Sequence, residues 1–427
     1  MQLLPGFRDF YPDQCARRNY ILHTWRSVAR RYGFVEYDGP VVESLALYEK
    51  KSGGELVGQL FAVGALADPG SAKGALRPEM TPTLARMVAA REREYKKPMK
   101  WFCMPNFFRH ERQQRGRLRE FYQLNCDIIG EASPAADAEL VAVVIDMLRA
   151  FGLSEGDFVV RLSSRTAWQT FFRQNAKRTD GAALTEADEY QFFQIVDKAE
   201  RADETKTAEA LAPFGLGLQQ VLGFMRSKEP SPELAVVFAD LQARGLGGCV
   251  EIDYAIVRGL AYYTGVVFEV FDRAKTERAV AGGGRYDALL SLMSDGKVNL
   301  PALGFGMGDV VLGNLIDDTP AAKARYDAWL AAQPPCAIYV VVAKEERRPE
   351  ALKLVQELRD AGHQVDFALT AAKVGKQFQA AENLGARIAL LVGDEWPQVK
   401  VKTLATREEV LVERDALGAH LAGALPR

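Results

Sequence analysis

The chain has 427 residues, a length that exceeds what one hydrophobic core usually serves. Of these residues, 48% are hydrophobic and 26% are charged, a composition that argues against disorder. Because 54 basic residues face 56 acidic ones, for a net charge of −2, a nucleic-acid partner cannot be inferred from bulk charge and any such site must be a local patch. The five cysteines include no C-x-x-C pair, which favours reduced thiols over a disulfide framework.

The N-terminus, MQLLPGFRDFYPDQ, has neither the basic nor the apolar region of a signal peptide. No apolar run reaches the roughly 20 residues that span a bilayer. The four histidines are not spaced as metal ligands with one another or with a cysteine, so we expect no structural metal site. These features predict a cytoplasmic protein without a membrane partner.

Helical and extended patterns alternate in the first third of the chain. Residues 13–33 have helical apolar spacing, and FVEYDGPVVE is typical of an extended segment broken at Gly39. LFAVGALADPGSAKGALRPEM indicates a hairpin, and Thr81 could cap a helix over 82–94. KWFCMPNFFRHERQQRGRLREFYQLNCDIIG predicts two strands around a long charged loop, and a helix over 136–151 follows.

Residues 166–245 carry helical patterns with polar breaks and no catalytic constellation, which indicates a helical insertion. Strand patterns return in VEIDYAIV and VVFEVFD, and the glycine cluster AGGGRYDALL follows them. The segment PALGFGMGDVVLGNLI then predicts a glycine-rich turn that leads into a helix. After Pro335, strands alternate with helices and a hairpin follows, as in a small parallel α/β domain. We predict a large domain over 1–325 and an α/β domain over 334–427.

Arginines are concentrated in FFRHERQQRGRLREFYQLNCD, at Arg109, Arg112, Arg115, Arg117 and Arg119. Arg109 follows two phenylalanines on a predicted strand. An arginine held there would make a good phosphate clamp, because its planar fork matches two phosphate oxygens. A surface hairpin with solvated charges explains the same pattern, and spacing does not decide between the two.

Three other segments allow both a ligand-binding and a structural interpretation. Arg258, beside Gly259, suits a ligand that approaches the backbone, or an ion pair with a carboxylate such as Asp253. Glu79 and Thr81 share one face of an extended segment and could hold an ammonium group, although a helix cap with a solvated glutamate is the simpler explanation. The glycines of AGGGRYDALL and GFGMGD form neither a P-loop nor a dinucleotide fingerprint, and a capping turn explains the second.

Together and in this order, these segments resemble the class II histidyl-tRNA synthetases. The matching segments are GFRDFYP, RRYGF with VVESLALY, LRPEMTPTLAR, FRHERQQRGRLREFYQLNCD, RGLAYYTGVVFE and AGGGRYDAL. The resemblance covers the whole chain and agrees with the absence of the class I signatures HIGH and KMSKS. It implies an α+β catalytic domain of the class II synthetase fold, with an antiparallel sheet flanked by helices, a helical insertion, and a C-terminal α/β anticodon-binding domain.

The resemblance also implies a reaction and its partners. The enzyme would activate L-histidine with ATP, aided by Mg²⁺, and transfer it to tRNA(His) as a homodimer. Arg109 and Arg258 would be catalytic, on opposite sides of the reacting phosphate. ATP would be bound by Arg109, Glu111, Arg117 and Phe121. Histidine would be bound by Glu79, Thr81, Gln123, Asp127, Arg258, Tyr262, Tyr263 and Tyr286. The tRNA acceptor end would meet Arg112 and Gln114.

The chain departs from the family pattern most clearly in the third motif, which usually ends G-x-E-R. Here GFGMGDVVLGNL has Val311 in place of the arginine, and no basic residue lies between Lys297 and Lys323. The helix N-terminus near Gly308 is one candidate for holding ATP through its backbone N–H groups. The other departures are Asp127 for glutamate, Ala261 for aspartate and Tyr122 for histidine.

Two alternatives stay open at this point. A regulatory paralogue, which senses histidine for ATP phosphoribosyltransferase, would agree with the missing arginine. The α/β domain after Pro335 and the charges of the second motif argue against it. A class II synthetase for proline, threonine or glycine is disfavoured by RGLAYYTG and AGGGRYDAL.

Overall fold

The computed structural model describes residues 2–51, 58–64, 73–112, 114–199, 202–257, 263–274 and 276–425. The chain divides into two compact units, Met1–Tyr326 and Asp327–Arg427. Among the helices described, none combines the length and the apolar character needed to cross a membrane.

The first unit is built on a large mixed sheet with a small sheet beside it. Its strands are β1 (Val35–Glu36), β2 (Val42–Ser44), β3 (Ala62–Val63), β4 (Gly74–Leu76), β5 (Met99–Cys103), β6 (Asn106–Phe108), β7 (Glu120–Ile129), β8 (Phe158–Ser164), β9 (Val250–Ile252), β10 (Val266–Asp272), β11 (Ala281–Arg285) and β12 (Ala302–Gly308). In the described residues the large sheet has the order β1-β5-β7-β12-β11-β10-β8-β9, with β6 also paired to β7. The small sheet has the order β2-β4-β3.

The predicted antiparallel sheet is confirmed in its centre and differs at its two edges. The pairings of β7, β12, β11, β10 and β8 are antiparallel, whereas β1 pairs with β5 and β9 with β8 in parallel. Both parallel strands are short and reach the sheet after long connections, which is what parallel pairing requires. The antiparallel centre matters most for function, because it brings β7, β11 and β12 side by side.

The helices of this unit cover the sheet and form the insertion. They are α1 (Pro12–Arg31), α2 (Leu45–Lys51), α3 (Thr81–Arg91), α4 (Pro134–Ala150), α5 (Arg165–Asn175), α6 (Glu186–Ala199), α7 (Glu204–Leu211), α8 (Leu218–Met225), α9 (Pro232–Ala243), α10 (Leu289–Met293) and α11 (Asp309–Asp318). Helix α4 contacts β7, β11 and β12, and its apolar residues are almost fully buried. It therefore closes one side of the central strands.

The predicted helical insertion corresponds to α5–α9, which pack through aromatic side chains. The ring centres of Trp168 and Phe224 are 4.7 Å apart, as are those of Phe172 and Phe192. The indole N–H of Trp168 donates to the carbonyl of Tyr254 at 3.0 Å, which satisfies its polar atom inside the core. The insertion therefore has a hydrophobic core of its own.

Two local predictions are wrong. Thr81 is not the cap of the helix over 82–94: α3 begins at Thr81 itself, its N-cap is Met80, and no side chain caps it. The glycine-rich turn predicted at GFGMG is the strand β12, which runs to Gly308 before α11 begins. In both cases tertiary packing decides the local conformation. The side chain of Thr81 and the space beside the glycines of β12 are thereby available to a cavity.

The second unit has the predicted α/β pattern. Its strands are β13 (Ile338–Val342), β14 (Val365–Phe367), β15 (Ile388–Val392), β16 (Gln398–Thr403) and β17 (Glu409–Glu413), in the order β14-β13-β15-β16-β17. The first three are parallel, and β16 and β17 form the predicted hairpin. Its helices are α13 (Arg348–Asp360), α14 (Val374–Asn383) and α15 (Leu417–Ala424), and α12 (Pro320–Ala331) crosses the boundary between the two units.

Candidate active site

A cavity of about 590 Å³ opens in the first unit, over the strands in the middle of the large sheet. Residues of β7, β10, β11 and β12 line it, together with the loop before β7 and the start of α11. The volume lies within the range of pockets that hold small molecules and cofactors. The cavity is therefore the natural candidate for a substrate site.

Alternate residues of β7 form one wall of the cavity. Phe121, Gln123, Asn125 and Asp127 all line it, because every second side chain of a strand points to the same face. Cys126, between two of them, is fully buried and points to the other face. The strand thus presents an aromatic ring, two amides and a carboxylate in a row.

Glycines of β12 leave room for those side chains. In the antiparallel pairing Gly304 stands opposite Asp127. A Cβ added to Gly304 would lie 2.1 Å from the Asp127 carboxylate, and one added to Gly306 would lie 2.8 Å from Gln123. The alternating glycines of GFGMG are therefore required by the cavity. A turn does not explain them.

Arg109 follows β6 and is held over an aromatic ring. Its Nε donates to the carbonyl of Pro78 at 2.9 Å, and its guanidinium carbon lies 5.3 Å from the ring centre of Phe121. Its backbone N–H donates to the carbonyl of Arg119. The hydrogen bond and the stacking fix the plane of the guanidinium group where it lines the cavity.

A charged pair lies on the same loop. Arg117 Nε is 2.5 Å from the Glu111 carboxylate, whose side chain is almost buried. Both residues line the cavity, as does Gly116, whose φ of 73° is left-handed. A side chain there would be strained and would also meet Val311 at 2.9 Å. The loop therefore turns tightly above the first residues of α11.

The opposite part of the cavity is lined by hydroxyl and carboxylate groups. The hydroxyl of Tyr286 donates to Asp127, and both side chains are buried. Tyr263, Glu79 and Thr81 line the same cavity. A neutral imidazole carries one N–H donor and one acceptor nitrogen, and an ammonium group carries only donors, so this mixture of groups could bind both.

Asp309 begins α11 and joins three segments of the first unit. Its carboxyl group accepts a hydrogen bond from Arg8 at 2.8 Å and another from the backbone N–H of Tyr122 at 2.9 Å. Burial raises the pKa of this carboxyl group, and the nearby Arg8 opposes that change. Asp309 therefore has a structural role, which links the N-terminal segment to β7 and α11.

Most of the residues predicted from sequence line this one cavity. They are Glu79, Thr81, Arg109, Glu111, Arg117, Phe121, Gln123, Asp127, Tyr263 and Tyr286. Arg112 and Gln114 are not among the lining residues, and Gln114 instead forms a backbone bridge with Arg117 across the loop. Arg258 and Tyr262 lie outside the described residues.

The cavity is also lined by polar and aromatic residues that the sequence analysis did not assign to the site. Among them are Asn125, Glu269, Phe271 and Arg278. The alternation of β7 could have identified Asn125, since it lies between Gln123 and Asp127. Arg278, in the loop before the glycines of β11, had no such signal, because it lies in a connecting segment without a repeating pattern.

The chain matches two family models. The model described as histidyl-tRNA synthetase matches residues 6–308, and the model described as anticodon binding domain matches residues 336–422. A curated relative from Opitutus terrae, named histidine–tRNA ligase, is 42% identical over 98% of this chain and 97% of its own length.

Solved structures show the same architecture. A histidyl-tRNA synthetase from Nostoc sp. PCC 7120 is 25% identical, with a TM-score of 0.74 over 98% of each chain. A Bacillus halodurans structure, titled ATP phosphoribosyltransferase regulatory subunit/histidyl-tRNA synthetase, has a TM-score of 0.68 over 90% of this chain and 96% of its own; at 21% identity it shows the fold alone. The extent of the family match and the identity to the Opitutus relative establish that the chain belongs to the histidyl-tRNA synthetase family.

Proposed function

We propose that the cavity of the first unit is where this chain carries out the first step of its reaction. As a member of its family the chain joins histidine to tRNA and uses ATP as a substrate. The observation that carries the site assignment is the convergence of β7, the loop before it, β11 and β12 on one cavity. We assign activation to residues 1–325, including the insertion at 166–245, and tRNA recognition to residues 334–427.

In the first step, a carboxylate oxygen of histidine attacks the α-phosphorus of ATP. A phosphorus–oxygen bond forms, the bond to the leaving pyrophosphate breaks, and histidyl-adenylate results. Negative charge builds on the non-bridging oxygens, so a fixed cation lowers the barrier. We assign this role to Arg109, because its guanidinium group is already oriented by Pro78 and Phe121. Arg258 is proposed for the opposite side on the family resemblance alone.

We assign the two ends of the cavity to the two substrates. Phe121 would stack on adenine, while Glu111 and Arg117 would hold the nucleotide and its phosphates. Glu79, Thr81 and Gln123 would bind the ammonium group of histidine. Asp127 and Tyr263 would bind the imidazole, with Tyr262 and Tyr286 lining that pocket. A site built this way should reject apolar amino acids of similar size, because its own polar groups would be left unpaired.

The proposed Mg²⁺ fits as an ion carried by ATP. Within the described ranges no group of three acidic, histidine or cysteine side chains could form a metal cage. Mg²⁺ usually keeps several waters and binds one or two carboxylates plus substrate phosphates. Glu111 is the carboxylate we assign to it, and the ion would neutralise charge on the phosphates.

The partners beyond the two small substrates rest on the family. We propose tRNA(His) as the accepting tRNA, with Arg112 and Gln114 near its acceptor end, and the second unit as the reader of its anticodon. The match of residues 336–422 to the anticodon binding domain supports the last point. A homodimer and a cytoplasmic location are proposed on the resemblance. The regulatory alternative has less support, because both family matches are those of a synthetase.

The experiment is amino-acid-dependent exchange of labelled pyrophosphate into ATP, run with each of the twenty amino acids. We expect exchange with histidine, and Arg109→Ala should reduce its rate about 10²–10³-fold, as loss of one charge-stabilising group does. The control is Arg93→Ala, which removes an arginine whose side chain is 95% exposed. Exchange with another amino acid, or an unchanged rate for Arg109→Ala, would refute the assignment.

A further inference from the structure

At the end of the cavity where the nucleotide phosphates would lie, the described residues offer few side-chain cations. Arg117 lines this end but is paired with Glu111 at 2.5 Å. The start of α11 supplies no side-chain cation, since Val310 and Val311 line the cavity there. The first residue of α11, Asp309, places a carboxylate there, which accepts hydrogen bonds from Arg8 and from the backbone N–H of Tyr122. A triphosphate bound here would therefore need a cation from another segment.

Arg278 supplies a cation at this end. It lines the cavity together with Gly308, Val310 and Val311. It belongs to the segment that precedes β11. Its neighbour Glu277 accepts a hydrogen bond from Asn314 of α11, which places this segment beside α11.

The residue before Arg278 anchors the loop. The side chain of Glu277 is 1% exposed, and one of its oxygens accepts from Arg115 at 2.6 Å and from Asn314 at 3.3 Å. These bonds tie the loop between β10 and β11 both to the arginine-rich loop and to α11. The backbone beneath Arg278 is therefore fixed, while its own side chain is exposed at the mouth of the cavity.

We propose that Arg278 is a nucleotide-binding residue that contacts the terminal phosphates of ATP together with Arg117. The inference rests on the proposed function, since it assumes that ATP occupies this cavity. An arginine at the mouth can form charge-assisted, bidentate hydrogen bonds to phosphate oxygens. Arg117 and Arg278 line the same cavity, so both guanidinium groups would contact a terminal phosphate bound there.

The test compares Arg278→Ala, Arg278→Gln and Arg278→Lys with the unmodified enzyme. Steady-state exchange would give KM for ATP, for pyrophosphate and for histidine, and calorimetry would give the affinity for ATP alone. Loss of hydrogen bonds to a charged group predicts that KM for ATP and for pyrophosphate rise about 10- to 100-fold in the alanine and glutamine variants. KM for histidine should stay within about twofold, and lysine should restore part of the affinity, since it keeps the charge but not the fork.

Arg273→Ala is the matched control on the same loop. Arg273 donates to backbone carbonyls of Glu155 and Gly248 and does not line the cavity. If Arg278 only supported the loop, both alanine variants would change KM for ATP alike, and the proposal would be overturned. An ATP affinity of Arg278→Ala equal to that of the unmodified enzyme would also overturn it. Failure of the proposed function is distinguishable, because the unmodified enzyme would then show no histidine-dependent exchange.

Discussion

The central strands of the two units differ in their side chains: those of the first unit are rich in glycine, and those of the second unit are apolar. In the first unit, β11 and β12 read AGGGR and ALGFGMG, and their glycines face other chain segments at close range or line the cavity. In the second unit, β13 and β15 read IYVVV and IALLV, and their side chains fill a core. Apolar side chains in a central strand contribute burial energy, whereas glycines contribute space. The glycines of β11 and β12 therefore mark the place where the chain has space for a ligand instead of a packed core.

The largest effect on activity is expected when a side chain fills the space at Gly304. In Gly304→Ala the new Cβ would lie 2.1 Å from the Asp127 carboxylate and 2.9 Å from the hydroxyl of Tyr286, so both groups must shift. Since a misplacement of about 1 Å can reduce rate about 10²-fold, we expect kcat/KM for histidine in pyrophosphate exchange to fall by at least ~100-fold. The control is Gly223→Ala in α8, where a Cβ meets no atom within 4 Å. Near-normal exchange by Gly304→Ala would show that the glycine is not needed for the site.

A smaller effect is expected from removing volume in the second unit. Ile388 lies on β15 and is 1% exposed, so Ile388→Val deletes one buried methyl group. We expect the free energy of unfolding of this unit to fall by about 0.5–1.5 kcal/mol, measured by hydrogen exchange of peptides from β15. Histidine-dependent exchange should be unchanged, because the cavity is lined by residues of the first unit. Val410→Ala, at a half-exposed position of β17, should change stability less; an equal loss would contradict the packing argument.

The smallest expected change concerns the thiols, and it tests which face of β7 the cavity occupies. Burial raises the pKa of Cys103, Cys126, Cys249 and Cys336, so these thiols should be unreactive in the native protein. Only Cys15 is partly exposed. We expect one equivalent of a thiol reagent to react quickly with the native chain and five after denaturation. Rapid labelling of Cys126 would mean that the far face of β7 is open.

Much of the fold follows from patterns within short segments. Helical apolar spacing predicted α1 and α4, and alternating strands and helices predicted the second unit, where Gly362 and Gly385 follow α13 and α14 in left-handed conformations. These elements depend on local periodicity and on turn residues, which a sequence displays directly. Thr81 shows the limit of such patterns: its side chain could cap a helix or line a site, and only packing around Met80 and α3 decided.

By itself, the sequence determined the family, the order of the elements and many of the charged and aromatic residues at the cavity, because such side chains cluster in segments with a recognisable order. Only the tertiary structure decided that Gly304 of β12 stands opposite Asp127, that Asp309 is a buried link to Arg8, and that Arg278 reaches the cavity. The physical reason is that these relations join residues far apart in the chain. Strand register and side-chain ion pairs bring them together, and side-chain spacing along one segment does not encode either.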